Sequence, residues 1–221
     1  MQEAREEKFR RINRVLYAVY AAAGILAAVY YGVKGDPFYC FLSVGTLLIF
    51  PARAVAYRLM GDRRAQQLEF VIALFVFLSY VLGVSLMFYK VVPYYDKLMH
   101  TLSGTLTMLL AFPLFYALKA GSAIEETDCR LAIVFCLMTA VAVAGLWEIV
   151  EYFVGMIFHV DNQRVLTTGI ADTMQDMIVC TVGALLVVPS MRAYYHSGRR
   201  GLLMSALEAF VKGDGKNGGP R

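Results

Sequence analysis

Uncharged, apolar-rich runs separated by short charged stretches dominate this chain. Residues 15–33 hold 19 positions without a charge, rich in Ala, Val, Leu and Tyr. Residues 37–52 add 16 more, and that run reaches Leu59 once Arg53 and Arg58 snorkel outward. Residues 70–89 give 20, and residues 98–118 give 21 that only His100 interrupts. A run of 17 over residues 131–147 meets Glu148 and Glu151, then resumes to Phe158. The last run, residues 177–191, has 15 positions and spans a membrane only if its helix begins near Asp172. A bilayer core about 30 Å thick takes some 20 helical residues at about 1.5 Å each. The pattern therefore predicts an all-α protein with six spans, at about 15–33, 38–59, 69–89, 97–118, 131–158 and 172–191. The first run continues past Ala21, Ala22 and Ala23 to Val33, which favours an uncleaved helix over a signal peptide.

Composition agrees and removes other classes. Apolar residues, Tyr included, make 59% of the 221, and the 21 basic and 17 acidic side chains make 17%. Soluble domains carry about 25% charge, and disordered chains are poor in apolar residues. The net charge of +4 is small. Its basic residues flank apolar blocks and form no separate stripe, so a nucleic-acid module is excluded. Cys40, Cys129, Cys136 and Cys180 show no C-x-x-C spacing and read as packing residues.

Seventeen of the 21 Lys and Arg lie in the N-terminal arm, around residues 53–64, in 119–130 and after Ser190. The opposite side holds Lys34, Lys90, Lys97 and Arg164. Positive residues stay inside, so both termini are expected in the cytoplasm. The expected architecture is a polytopic six-helix transmembrane bundle over residues 1–195 with a cytoplasmic tail, 196–221. In that tail Leu202, Leu203, Ala206, Phe210 and Val211 fall at helical spacing, as in a surface-lying amphipathic helix. The Gly-rich end, 213–221, is expected to be disordered. No internal repeat argues for an inverted-repeat transporter.

The last three spans carry ionisable pairs: Asp96 with His100, Glu148 with Glu151, and Asp172 with Asp176. Spacings of three and four put both members of each pair on one helical face, and charge at membrane depth costs about 2.5–3.5 kcal/mol near the centre. Helix rise puts Glu151 about 10 Å and Glu148 about 15 Å from the Phe158 end. The other four fall in the first turns of their helices on that same side, so all six are expected to meet in the outer part of the bilayer. Five bare carboxylates cannot share a pocket: either a cation neutralises them or several are protonated. Carboxylates with one imidazole suit Mg, Mn, Fe or Zn, and the lack of thiolate argues against a closed structural zinc site. Glu and His donated by facing helices also build di-metal carboxylate bundles, though with another spacing order. Thr101, Ser103, Tyr152, Thr173 and Gln175 lie close enough in sequence to orient such ligands.

Asp96 and Asp172 also suit N-cap positions, where a carboxylate stabilises free N–H groups. Glu148 and Glu151 sit too deep in a helix for that role. His159 and Asp161 read as solvated loop residues, and Glu125, Glu126 and Asp128 as a solvated acidic patch. Asp36 before Pro37 reads as a turn.

The stretch Tyr95-Asp96-Lys97-Leu98-Met99-His100 with Gly104, then Trp147-Glu148-x-x-Glu151-Tyr152, then Asp172-x-x-x-Asp176 with Gly183, resembles the YjdF-like bacterial membrane proteins. It is more distantly similar to the VanZ-like family, named for a teicoplanin-resistance protein. The likeness is strongest over residues 94–188. Asp96, Lys97, His100, Glu148 and Asp172 match the VanZ-like pattern, whereas Glu151 stands where that pattern has Gln and Asp176 where it has Asn. The resemblance implies a multi-pass protein of the bacterial inner membrane and brings almost no biochemistry.

The leading functional expectation is a divalent-metal site acting on a membrane-embedded substrate such as a lipid or polyprenyl-phosphate headgroup. His100, Glu148, Glu151 and Asp176 would ligate the metal, with Asp96 or Asp172 orienting it or acting as general base. The rivals are a proton-coupled transporter, with the acids as a relay, and a non-catalytic envelope protein of the resistance type.

Overall fold

The computed structural model describes residues 2–60, 66–119 and 124–197, together with 201, 204, 207, 208 and 211. Among the described residues every regular element is helical. Six helical stretches are long and apolar enough to cross a membrane: Glu6–Lys34, Pro37–Val55, Gln66–Ser85, Tyr95–Leu118, Glu126–Phe158 and Ala171–Ser197. The described residues divide into two compact units, one within Met1–Val91 and Leu202–Arg221, the other within Val92–Gly201.

The first unit begins with α1 (Gln2–Lys34), α2 (Pro37–Thr46) and α3 (Ile49–Met60). Gly35 ends α1 in a left-handed conformation, φ 70°, that a side chain would resist. The turn expected at Asp36 is also a helix start. Its carboxylate accepts the Tyr39 N–H at 3.1 Å, with Pro37 in the first helical turn. The second span is broken at Leu47 and Leu48, and the reason is Pro51. Its ring nitrogen has no hydrogen to give the Leu47 carbonyl, so the chain closes the break with Phe50 N–H to Leu47 O, 3.2 Å, and Ala52 N–H to Leu48 O, 3.1 Å. The Tyr20 hydroxyl donates to the Thr46 carbonyl at the break, 2.8 Å.

The third span runs as α4 (Gln66–Val76) into a wider π-helical stretch, Phe77–Ser85, and α5 (Phe88–Val91) follows. Arg53 does not simply snorkel to the interface. Its Nε donates to Glu69 at 2.5 Å, and its guanidinium lies 5.0 Å from the Tyr17 ring. Asn13 on α1 is buried and donates to the Gln66 carbonyl, 3.0 Å. In the tail, residues 204, 207, 208 and 211 are helical, and Met204, Leu207, Glu208 and Val211 are buried. Leu202, Leu203, Ala206, Phe210 and the stretch 213–221 lie outside the described residues.

The second unit holds α6 (Tyr95–Leu118), α7 (Cys129–Phe158), α8 (Val165–Thr168), α9 (Ala171–Leu185) and α10 (Val188–Ser197). Here α6 packs on both α9 and α7, and α7 packs on α9. Pro189 separates α9 from α10 as Pro51 separates α2 from α3, since it has no N–H for the Leu185 carbonyl. The buried face of α7 is a stripe of every fourth residue: Ala132, Cys136, Ala140, Ala144 and then Glu148. On α9 the stripe reads Asp172, Asp176, Cys180 and Ala184. Both are small-residue faces whose site end carries acids, and small residues let membrane helices approach closely. The opposite face of α7 presents Leu131, Val134, Met138, Leu146 and Ile149, each 52–64% exposed. Water does not tolerate so continuous an apolar face on a monomer, whereas lipid covers it without cost. The four cysteines are free, three of them buried, as expected for packing residues.

Candidate functional site

The start of α6, the last three turns of α7 and the start of α9 come to the same end of the second unit, and the six nominated side chains gather there. Donor atoms of Asp96, His100 and Asp176 all lie within 4.8 Å of one another, and so do those of His100, Glu148 and Glu151. His100 Nε2 is 3.7 Å from Asp96 Oδ1 and 3.6 Å from Asp176 Oδ1. The imidazole is thus common to both groups. His100, Glu148, Asp172 and Asp176 are buried, at 8%, 6%, 5% and 2% exposure, while Asp96 is partly open.

Neither Asp96 nor Asp172 is an N-cap. The caps are Tyr94 and Ile170, and neither makes a side-chain capping bond. Both aspartates turn instead toward a group that charge counting assigns to the connecting segment. Lys97, in the first turn of α6, donates from Nζ to Asp172 Oδ1 at 2.6 Å and to both oxygens of Asp176 at 2.8 Å. It also reaches the Asp172 carbonyl at 3.4 Å and Asp96 Oδ2 at 3.5 Å. A cation does neutralise part of the cluster, and that cation is a lysine. The signal in the sequence was its place in the Asp96-Lys97-x-x-His100 segment, which charge counting alone does not use.

Glu148 and Glu151 are not among the acids that Lys97 pairs. Glu148 takes its hydrogen bond from Gln163, whose Nε2 donates to Glu148 Oε2 at 3.0 Å and to the Glu148 carbonyl at 3.1 Å. The other oxygen, Oε1, is buried with no hydrogen-bond partner. Gln163 lies in the α7–α9 connection and carries neither charge nor motif spacing, so only the fold reveals it. Its neighbour Arg164 places NH1 3.9 Å from Asp172 Oδ1 and is half-exposed. His159 ends α7 in the left-handed region, φ 54°, and is solvent-exposed as expected. Asp161 is exposed too, but it accepts the N–H groups of Val165 and Leu166 at 2.7 and 3.1 Å and so starts α8.

Of the five neighbours expected to orient the ligands, two bond elsewhere and two face outward. Thr101 and Ser103 donate back to carbonyls of their own helix, those of Lys97 and His100. Gln175 and Tyr152 are exposed. At the far end of this unit the acidic patch needs correction, because Asp128 is buried rather than solvated. A short 3₁₀ turn, Glu126–Asp128, carries it under α6. There it accepts from Lys119 at 2.8 Å, from Tyr116 at 3.3 Å and from the Glu125 N–H at 3.0 Å. That ion pair holds the Lys119 ammonium above its ordinary pKa. Glu125 and Glu126 do stay exposed.

Residues 12–197 match the family described as Predicted membrane protein (DUF2238). The chain belongs to that family. The match takes in the six Asp, Glu and His residues of the cluster with Lys97 and Gln163. No curated protein and no solved structure matches this DUF2238 chain significantly.

Proposed function

We propose that the cluster is a divalent-metal site serving chemistry on a lipid-linked substrate, with His100, Glu148 and Glu151 as the ligands. The observation that carries this reading is the buried Oε1 of Glu148, which has no hydrogen-bond partner, on a residue that with His100 and Glu151 brings donor atoms within 4.8 Å of one another. A buried polar atom without a partner costs about 1–3 kcal/mol, more when charged, and a cation removes that cost. The charge balance agrees. Five carboxylates face one ammonium and one half-exposed guanidinium at the edge. Two carboxylates with one imidazole suit Zn, Fe, Mn or Mg, and three protein ligands leave a position open.

A divalent ion bound there supplies a Lewis acid and a nucleophile at neutral pH. Asp176 and Asp172 are engaged by Lys97 at 2.8 Å or less, so their role is to anchor α9 and hold Lys97. Asp96, with its weaker 3.5 Å tie to Lys97, is the carboxylate left to accept a proton. The half-exposed Arg164 at the edge suits a phosphate-bearing headgroup. The distribution of Lys and Arg supports an extracytoplasmic position for this end. The motif resemblance to YjdF-like and VanZ-like proteins supports a bacterial inner-membrane setting. A proton relay toward the other end of the unit finds little to run on, since Met108, Phe112, Cys136, Ala140 and Ala184 fill the buried middle.

The test is metal content. Detergent-purified protein loaded with Mn²⁺ or Zn²⁺ and dialysed should retain metal and lose thermal stability on chelation. Glu148→Gln should bind more than about 100-fold more weakly or not at all, beyond the 10–100-fold that loss of a supporting hydrogen bond produces. Wild type that holds no metal, and melts identically with and without chelator, would overturn the proposal.

A further inference from the structure

We infer that Gln163 is a positioning residue of the metal site, an inference that rests on the reading just given. Its amide holds one oxygen of Glu148 and leaves the other for the ion. Three features of the connection between α7 and α9 converge on it. Gln163 Nε2 makes two bonds to one residue, to the Glu148 carboxylate at 3.0 Å and to its carbonyl at 3.1 Å. The second bond matters as much as the first. It fixes the amide against the backbone of α7, so the carboxylate is oriented by a group that cannot swing with it.

The backbone on the far side of Gln163 is also set. Arg164 takes φ 51°, a conformation uncommon for a side-chain-bearing residue, and the Asp161 carboxylate ties down the first N–H groups of α8 at 2.7 and 3.1 Å. Gln163 is therefore delivered by a turn with defined geometry on both sides. Its partner Glu148 then divides its labour, with Oε2 committed to the amide and Oε1 buried and bare. An amide N–H donated to one oxygen of a ligating carboxylate is the standard means of orienting such a ligand, and losing it costs 10–100-fold in metal affinity. A glutamine suits this place better than a lysine or arginine would, because it orients the carboxylate without supplying the charge that the ion would bring.

The experiment is Mn²⁺ binding to full-length protein in detergent, read by equilibrium dialysis and by the Mn²⁺ paramagnetic resonance spectrum, for wild type, Gln163→Leu and Gln163→Asn. Both variants should raise the Mn²⁺ dissociation constant 10–100-fold and alter the spectrum of the bound ion, and their metal-free melting temperatures should fall only as far as the loss of one hydrogen bond to a buried carboxylate requires. Should Gln163→Leu unfold, Gln163→Asn keeps an uncharged amide that is one methylene too short to reach Glu148, and it carries the test alone. Variants that bind Mn²⁺ as tightly as a binding-competent wild type, with the same spectrum, would overturn the role of Gln163 and leave the metal site standing. Wild type that binds no Mn²⁺ would remove the metal site and this role together.

Discussion

Replacing Lys97 by Met should cost about 3–5 kcal/mol, the range seen when one partner is deleted from a buried ion pair. Lys97 Nζ is the group that meets both Asp172 and Asp176, with those carboxylates only 7% and 3% exposed. Methionine keeps most of the stem but leaves two buried carboxylates facing each other and His100 without the ammonium. The penalty comes from desolvated charge, so it should be relieved by removing charge: Asp176→Asn in the Lys97→Met background should recover part of the loss. On the wild-type background Asp176→Asn should destabilise. Thermal or denaturant unfolding in detergent, read as a double-mutant cycle, gives the sign and size of the coupling. A Lys97→Met protein as stable as wild type, or a double variant worse than the sum of its parts, would sink this account of the cluster.

The six spans could be read in advance because a membrane helix announces itself by lack of charge over some 20 residues, and lack of charge needs no tertiary knowledge. The Phe158 end of α7 and the start of α9 near Asp172 also follow from that count. The breaks at Leu47–Leu48 and Leu186–Val187 do not, since charge counting ignores the missing N–H of Pro51 and Pro189 that causes them. The gathering of Asp96, His100, Glu148, Glu151, Asp172 and Asp176 is legible from helical spacing and alternating direction alone. Lys97 is harder. The rule that places lysines outside assumes the cheapest destination is water, and here the two aspartates of α9 offer a stronger one. Gln163 leaves no trace in a single sequence, because an uncharged amide in a connection acquires meaning only when the chain folds back on Glu148. Asp128 misleads for a related reason: its acidic neighbours are exposed, and only the 3₁₀ turn that tucks it beneath Tyr116 and Lys119 sets it apart.

Gly104→Ala should cost about 3 kcal/mol or more, the upper end of what overpacking produces in a well-filled interior. A Cβ at Gly104 would overlap the carbonyl of Cys180 on α9, and a Cβ at Gly183 would overlap the carbonyl of Thr101 on α6. The two glycines thus answer each other across one helix contact, and the obstacle in both cases is backbone, which has no rotamer to escape into. The helices must separate instead. Separation would break the bond from Thr105 Oγ1 to the Gly183 carbonyl, 2.9 Å. It would also draw Asp172 and Asp176 away from Lys97, because the same two helices carry both sides of that ion pair. Gly145→Ala is the internal control. Its nearest neighbour is the flexible end of Met177 at 3.8 Å, an ordinary contact, and helix propensity favours Ala over Gly by up to about 1 kcal/mol. That variant should be neutral or slightly stabilised. Unfolding curves of the two alanine variants in one detergent decide the matter, and a Gly104→Ala protein as robust as Gly145→Ala would mean that α6 and α9 are not held together by this close backbone approach.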